Sequence, residues 1–297
     1  MEITTAWMGG DHLLKYRMIA LDVDGTLIDD RFQIQPKTKG ILKELYDDGV
    51  EIALCTGRNP SGAIPLMEEI GVEGPVIVHN GALSLHSTSK EIYGTLGFHM
   101  SELQDVVEFC RAQGIHFDVN TPFHLYVERM DPRLERLYQS YFAQPILLRD
   151  VMELDEDVVK LSLLGEEELI DRLVGEIEER FPYFRSIRSG ENYIDIMHPD
   201  ASKGYGLRIV AEKLNIPLDE IVAFGNYYND IEMLAEVGFG IAMENSPIEV
   251  KNIAKAVTRS NNEEGIYYGL REHFYKDSSA HGLIRHGIPK TSFQWNR

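Results

Sequence analysis

Short apolar runs that stop abruptly at polar residues recur along this chain. Met18, Ile19, Ala20 and Leu21 give way to Asp22, Val23, Asp24, Gly25 and Thr26. The run is too short for a stable helix and too uniform for a half-exposed strand, so it predicts an interior strand of a parallel sheet. Further runs repeat the pattern: Val50 to Cys55 stops at Thr56, Gly57 and Arg58, and Val76 to Val78 leads to Asn80 and Gly81. Ile221 to Phe224 ends at Gly225 and Asn226, and Gly238 to Met243 leads to Glu244 and Asn245. Between them, helical spacing predicts helices over Pro36 to Asp48, Ser202 to Leu214 and Ser246 to Ala254. Gly49 would end the first, and the last would have Ser246 as N-cap and Pro247 at its first position. Strands alternating with helices imply an α/β fold with a doubly wound parallel sheet. Ligands bind such sheets beyond the carboxyl ends of the strands, where these polar residues collect.

The middle of the chain has a different rhythm. Phe123, Leu125 and Val127 alternate with His124, Tyr126 and Glu128, and Val159, Leu161 and Leu163 alternate with Lys160 and Ser162. Strict alternation predicts an antiparallel sheet with one open face. Helical patterns at Ser101 to Gln113, Pro132 to Phe142 and Glu166 to Phe181 would cover its other face. The expected organisation is an N-terminal extension over 1–16, a core formed by 17–84 and 190–275, an inserted α+β domain over 85–189, and a tail over 276–297. Crossings between the two parts fall near Asn80 to His86 and Ser189 to Tyr193, beside Gly81 and Gly190.

Composition narrows the function. A chain of 297 residues accommodates two domains with separate cores, and its 43% hydrophobic content fits a folded protein. A formal net charge of −19 argues against nucleic-acid binding, which rests on Lys and Arg neutralising phosphates. An anionic small ligand would need a local positive site. Two cysteines, Cys55 and Cys110, are too few for a disulfide framework. No window approaches a membrane span and the first residues lack a signal-peptide pattern, so the expectation is a soluble cytoplasmic protein.

Taken alone, Asp22 and Asp24 after a buried strand suit either phosphoryl transfer or a solvated turn. Three more motifs settle between these: Thr56-Gly57-Arg58, Lys203 just after Ser202, and Gly225-Asn226-Tyr227-Tyr228-Asn229-Asp230. Together they resemble, over about residues 17 to 275, a haloacid dehalogenase superfamily phosphatase of the Cof-type branch. That resemblance implies a Rossmann-like core with a large inserted α+β cap. It implies Asp22 as nucleophile, forming an aspartyl-phosphate that water later cleaves. Asp24 corresponds to the general acid and base, with its main-chain carbonyl reaching a Mg2+ ion. Thr56 matches the residue holding phosphoryl oxygens, although a Thr there also suits a helix cap. Lys203 matches the ammonium that offsets charge on the nucleophile and the transferring group.

The fourth motif departs from the family pattern, which has Asp where this chain has Asn226. The implied metal ligands are Asp22, Asp24, Asn226 and Asp230. Asn226 offers an oxygen but no charge. One ionic contact at about 4 Å is worth roughly 1 kcal/mol in water and roughly 4 kcal/mol at an effective dielectric near 20. Metal affinity would therefore fall by roughly one to three decades. Three readings stand: a tolerated weakening, a relic that binds without turnover, or an engineered block.

For phosphate or substrate binding the candidates are Gly57, Arg58, Asn80, Gly81, Asn229 and Asn245 beside the strand ends. His124, Tyr126, Lys160 and Arg188 on the inserted domain join them, with His124, Tyr126, Lys160 and Ser162 expected to share one polar face. The leading function is hydrolysis of small phosphorylated metabolites, sugar phosphates first, with a phosphomutase as a variant. The competing one is a catalytically impaired protein that binds phosphometabolites in a regulatory role.

Overall fold

The computed structural model describes residues 15–140, 143–190 and 192–274. Most of the two expected extensions lies outside these residues. In chain order the strands begin with β1 (Met18–Asp22), β2 (Glu51–Cys55), β3 (Pro75–Val78), β4 (Leu83–His86) and β5 (Ile92–Thr95). There follow β6 (His116–Asn120), β7 (Leu125–Val127), β8 (Ile146–Leu147), β9 (Lys160–Leu164), β10 (Arg185–Gly190) and β11 (Tyr193–Met197). The last are β12 (Ile221–Gly225), β13 (Phe239–Ala242) and β14 (Ala256–Val257). The α-helices are α1 (Pro36–Asp47), α2 (Pro60–Ile70), α3 (Gln104–Gln113), α4 (Pro132–Ser140), α5 (Glu167–Arg180), α6 (Lys203–Leu214), α7 (Ile231–Glu236), α8 (Ile248–Ile253) and α9 (Gly265–Gly269).

The strands form an eight-stranded sheet, in the order β14-β13-β12-β1-β2-β3-β4-β5, and a six-stranded sheet, β10-β11-β9-β6-β7-β8. In the larger sheet β14 to β3 run parallel, while β4 and β5 are antiparallel. The uniform apolar runs follow from burial on both faces. Ile19 and Leu21 join the core beneath α1, α2 and α9, whereas Met18 and Ala20 join the core beneath α6, α7 and α8. Burying each of the larger side chains contributes about 1.5–3 kcal/mol. Because β1 lies between β12 and β2, chain order reverses around it, and a crevice opens at its carboxyl end.

Sheet membership moves the expected crossings. Leu83–His86 and Ile92–Thr95 extend the core sheet, so the first crossing falls after Thr95 rather than near His86. The strand Tyr193–Met197 pairs with β9 and β10, so it belongs to the cap and the second crossing follows Met197. Helices α3 and α5 pack on one face of the cap sheet, as the pattern predicts. Helix α4 lies on the other: Leu134, Leu137 and Tyr138 pack with Leu125, Val127, Leu164 and Tyr193. The face expected to be open is therefore partly covered. Helix α8 starts one residue later than predicted, with Pro247 as its N-cap, because the Ser246 hydroxyl is buried without a partner and caps nothing.

Candidate active site

Asp22 ends β1 and is buried. Its Oδ1 accepts a hydrogen bond from Lys203 Nζ at 2.6 Å, and the same ammonium donates to Asp230 Oδ1 at 2.6 Å. Lys203 is the first residue of α6, after Ser202, whose hydroxyl caps the helix by accepting from Tyr205 N. A cation at a helix start is opposed by the helix dipole, so local preference does not put it there. Burial also works against the charge on Lys203, but Asp22 and Asp230 outweigh it and hold the ammonium above its usual range. Burial, then Asp230, pushes the Asp22 carboxyl up, and Lys203 opposes them.

Asp230 is the backstop of this group. Its Oδ2 accepts from the main-chain amides of Asn226 at 2.8 Å and Tyr227 at 3.0 Å. Both oxygens are thus committed, one to Lys203 and one to the loop after β12. Asp230 thus positions Lys203 and the loop that carries Asn226.

The Asn226 side chain closes the front. One atom of its carboxamide lies 2.9 Å from Asp22 Oδ2 and 3.0 Å from both the Asp24 main-chain oxygen and Thr26 Oγ1. With oxygen at that point, Thr26 Oγ1 donates to it. With nitrogen there, Asp22, Asp24 and Thr26 all act as acceptors. Gly25 makes the approach possible: its φ is +79°, and a Cβ would stand 2.4 Å from Asn226 Nδ2.

Asp24 faces solvent and is gripped by Arg58, with Nε 2.9 Å from Oδ2 and Nη2 2.6 Å from Oδ1. Thr56 is buried, and its hydroxyl accepts from Arg58 N at 3.1 Å. It does not cap α2; Asn59 does, accepting from Gly62 N at 3.0 Å. The next loop, His79, Asn80 and Gly81, has successive φ values of +49°, +53° and +95°. Left-handed conformations in two adjacent non-glycine residues cost free energy and persist only where surroundings enforce them. Here Arg58 O and Thr56 O accept from the amides of His79 and Asn80. At Gly81 a Cβ would stand 1.9 Å from Ser202 O, so only glycine lets this loop pack against the start of α6. Asn229 Nδ2 donates to Asn80 Oδ1 at 3.0 Å, and Gly57 lies against the same Asn80 side chain. Asn245 Nδ2 donates to Gly25 O at 2.9 Å; it braces the loop after Asp24.

A model of the haloacid dehalogenase-like hydrolases matches residues 19–270. The chain belongs to this family. It is 30% identical over 270 residues to YxeH of Bacillus subtilis, covering 86% of this chain and 98% of that protein. It is 27% identical over 270 residues to YitU of the same organism, a 5-amino-6-(5-phospho-D-ribitylamino)uracil phosphatase, covering 86% and 97% of the two chains. Among solved structures, TM0651 of Thermotoga maritima superposes with a TM-score of 0.79 at 26% identity, covering 86% of this chain and 97% of that one. The chain is a phosphoric monoester hydrolase of the haloacid dehalogenase-like family, with its α/β core and inserted cap.

For a haloacid dehalogenase-like hydrolase, the donor set facing Asp22 suits a hard divalent cation. It comprises Asp22 Oδ2, the Asp24 carbonyl and the Asn226 carboxamide oxygen. Oxygens bound at about 2.0–2.1 Å around octahedral magnesium lie about 2.8–3.0 Å apart along an edge. The separations of 2.9 Å and 3.0 Å at Asn226 match that edge. Among the described residues no group of three or more His, Cys, Asp or Glu side chains is suited to a metal, in keeping with Asp230 being turned to Lys203.

The cap residues divide by register. Lys160 pairs with Asn120, while Tyr126 pairs with Val119 and Leu161 with Val119. Paired residues share a face, so Tyr126 stands with Leu161 on the helix-covered side, opposite Lys160 and Ser162. Tyr126 donates to Glu156 at 3.0 Å, and His124 lies 3.8 Å from the same carboxylate. Arg188 pairs with Ile194, on the helical side, and its guanidinium binds Asp171 of α5. Lys160 alone of these cap candidates bears on the core: it lies 3.4 Å from Asp195 Oδ2 and its charge acts on His79.

Sequence patterning missed His79, Asp118, Asn120 and Asp195. His79 is buried with neither ring nitrogen partnered, and burial, then Lys160, holds it neutral. Its signal was its place between an apolar strand and Asn80-Gly81. Asp195 accepts from Ser162 Oγ at 2.7 Å, and Asp118 accepts from Asn120 Nδ2 at 2.6 Å and Tyr138 OH at 3.1 Å. Alternation within their strands puts these carboxylates on the Lys160 face.

Proposed function

We propose that this protein is a magnesium-dependent phosphatase of small phosphorylated metabolites, with esters of sugars or polyols as the leading class. The observation that carries the reading is Asp22, a buried carboxylate at the switch point of the sheet, held by Lys203 and faced by the Asp24 loop. In the first step an Asp22 oxygen attacks phosphorus, the ester P–O bond breaks, and Asp24 gives its proton to the leaving oxygen. In the second, Asp24 takes a proton from water, the hydroxide attacks phosphorus, and the Asp22–phosphorus bond breaks to release phosphate. Lys203 offsets charge on both the nucleophile and the transferring group. Thr56, Gly57 and Asn80 line the approach for the phosphoryl oxygens. Asp22, the Asp24 carbonyl and Asn226 would hold the magnesium ion, which supplies neutralising charge for the incoming phosphate.

His79, Lys160 and Asp195 are proposed to meet the rest of the substrate. Unpartnered nitrogens under the influence of the Lys160 ammonium, itself 3.4 Å from Asp195, suit hydroxyl groups, and the phosphorylated ribityl chain in the name of the YitU substrate supports such a polyol. The buried, unpaired Cys55 and Cys110 support a cytoplasmic setting.

A second reading is favoured by one observation, the uncharged Asn226: a phosphometabolite-binding protein with little turnover. A panel of phosphate esters assayed with magnesium separates the two, using the wild type, Asn226→Asp and Asp22→Ala. Activity in the wild type that is lost in Asp22→Ala supports the enzyme. Activity only in Asn226→Asp supports the binding protein, and turnover surviving Asp22→Ala removes Asp22 as nucleophile.

A further inference from the structure

We propose that the Asn226 carboxamide is a two-position element that occupies its own cation site. Without a cation, its NH2 group points inward and bridges Asp22 Oδ2 and the Asp24 carbonyl. With a cation, the side chain turns so that its oxygen points inward as a ligand. The inference rests on the metal-dependent reading above and concerns what this chain does where the family pattern has Asp.

Three observations carry it. First, the inward carboxamide atom is 2.9 Å from one carboxylate oxygen and 3.0 Å from one carbonyl oxygen. Oxygens that close, with no proton between them, repel unless a cation lies among them, whereas a nitrogen at the same point makes hydrogen bonds. Both occupants of that point are therefore chemically satisfied, one with metal and one without. Second, Thr26 Oγ1 lies 3.0 Å from the same atom and is buried. A hydroxyl both donates and accepts, so Thr26 donates to the oxygen in one position and, in the other, shares as an acceptor one of the two NH2 protons that bridge Asp22 and Asp24. The neighbour that would otherwise choose a single orientation accommodates both.

Third, the charge count favours an amide when no cation is bound. Lys203 is shared between two buried carboxylates, Asp22 and Asp230. A third carboxylate at position 226 would add uncompensated charge beside Asp22, and having no proton it cannot bridge to the Asp24 carbonyl. With Asp at this position the site would depend on a cation to hold it together; Asn226 removes that dependence and weakens cation binding in exchange.

The test is made on the full chain, with magnesium chloride against EDTA. Protein labelled with 15N-asparagine, its Asn226 signal assigned by disappearance in Asn226→Asp, reports the carboxamide directly. The expected result is an Asn226 NH2 pair protected from hydrogen exchange in EDTA that shifts and loses protection as magnesium saturates. Melting curves give a second readout. Asn226→Asp should melt below the wild type in EDTA, gain far more from magnesium, and bind it roughly tenfold to a thousandfold more tightly. An Asn226 signal that stays unchanged at saturating magnesium overturns the proposal. So does an Asn226→Asp protein equal to the wild type both in EDTA and in magnesium affinity. Neither result touches the assignment of Asp22, which is decided by the ester panel.

Discussion

Arg58 holds the Asp24 carboxylate by a two-point grip, Nε at 2.9 Å and Nη2 at 2.6 Å, and the same guanidinium donates to Gly62 O at 3.2 Å. The acid and base of the proposed reaction is thereby tied to the first turn of α2 and not left to wander in solvent. Arg58→Ala should lower kcat by roughly tenfold to a hundredfold, less than the roughly 10²–10⁴-fold that a positioned proton transfer contributes, because Asp24 itself remains. Because Asp24 faces solvent, the pair contributes little to folding, and the urea midpoint should move by less than about 1 kcal/mol in free energy. A loss of kcat without loss of stability, read from steady-state kinetics beside denaturation curves, checks this.

Loss of Lys203 should cost stability as well as turnover. It is the ammonium between Asp22 and Asp230, both buried, and removing it leaves two carboxylates facing one another in a dry site. Lys203→Met should destabilise the protein by about 3–5 kcal/mol at neutral pH, the usual cost of breaking a buried pair by deleting one partner. Much of the loss should return in acid as carboxylates protonate. Chemical denaturation at pH 5 and pH 8 measures both.

Asp118 gives stability a pH dependence of its own. Burial, opposed by Lys160 and then reinforced by Asp195, raises its carboxyl from an ordinary 3.8 to about 6. Between these values the folded protein binds more protons than the unfolded chain, so stability is fully present below about pH 4 and falls as pH rises to about 6. At 1.36 kcal/mol per unit the loss from this group reaches up to about 3 kcal/mol. Asp118→Asn should flatten that part of the profile and leave the variant more stable than the wild type at pH 8. The introduced amide can still serve Asn120, while Tyr138, 3.0 Å from His116 Nε2, can donate to that imidazole instead. Urea titrations across pH 4 to 8 test the slope.

His79 carries two buried nitrogens with no partner. If they serve a ligand, His79→Leu should leave folding stability within about 1 kcal/mol of the wild type or above it, since no hydrogen bond is lost. KM for the best ester should rise severalfold with a smaller change in kcat. An unchanged KM would remove His79 from the substrate site.

Local pattern was enough to place much of this molecule. Uninterrupted apolar runs mark strands buried on both faces, as Ile19 and Ala20 are, and the polar residues that end them lie at one edge because parallel strands share a direction. Asp22, Asp24, Thr56 and Asn226 were legible for that reason, and Lys203 only through the motif resemblance. Patterning reports burial but not partners, so it put Tyr193–Met197 in the core sheet and left Ile92–Thr95 out of it. It also set Tyr126 beside Lys160, since a strand's alternation says nothing of register with its neighbour and a shift of one residue reverses the face. Only the folded chain brings Lys203 to Asp22 across 181 positions, turns Asp230 behind them, and sets the Asn226 carboxamide against Asp22 and the Asp24 carbonyl. These relations depend on which strands lie side by side and on loops packed against one another, which bring the groups to within 2.6 to 3.0 Å of each other.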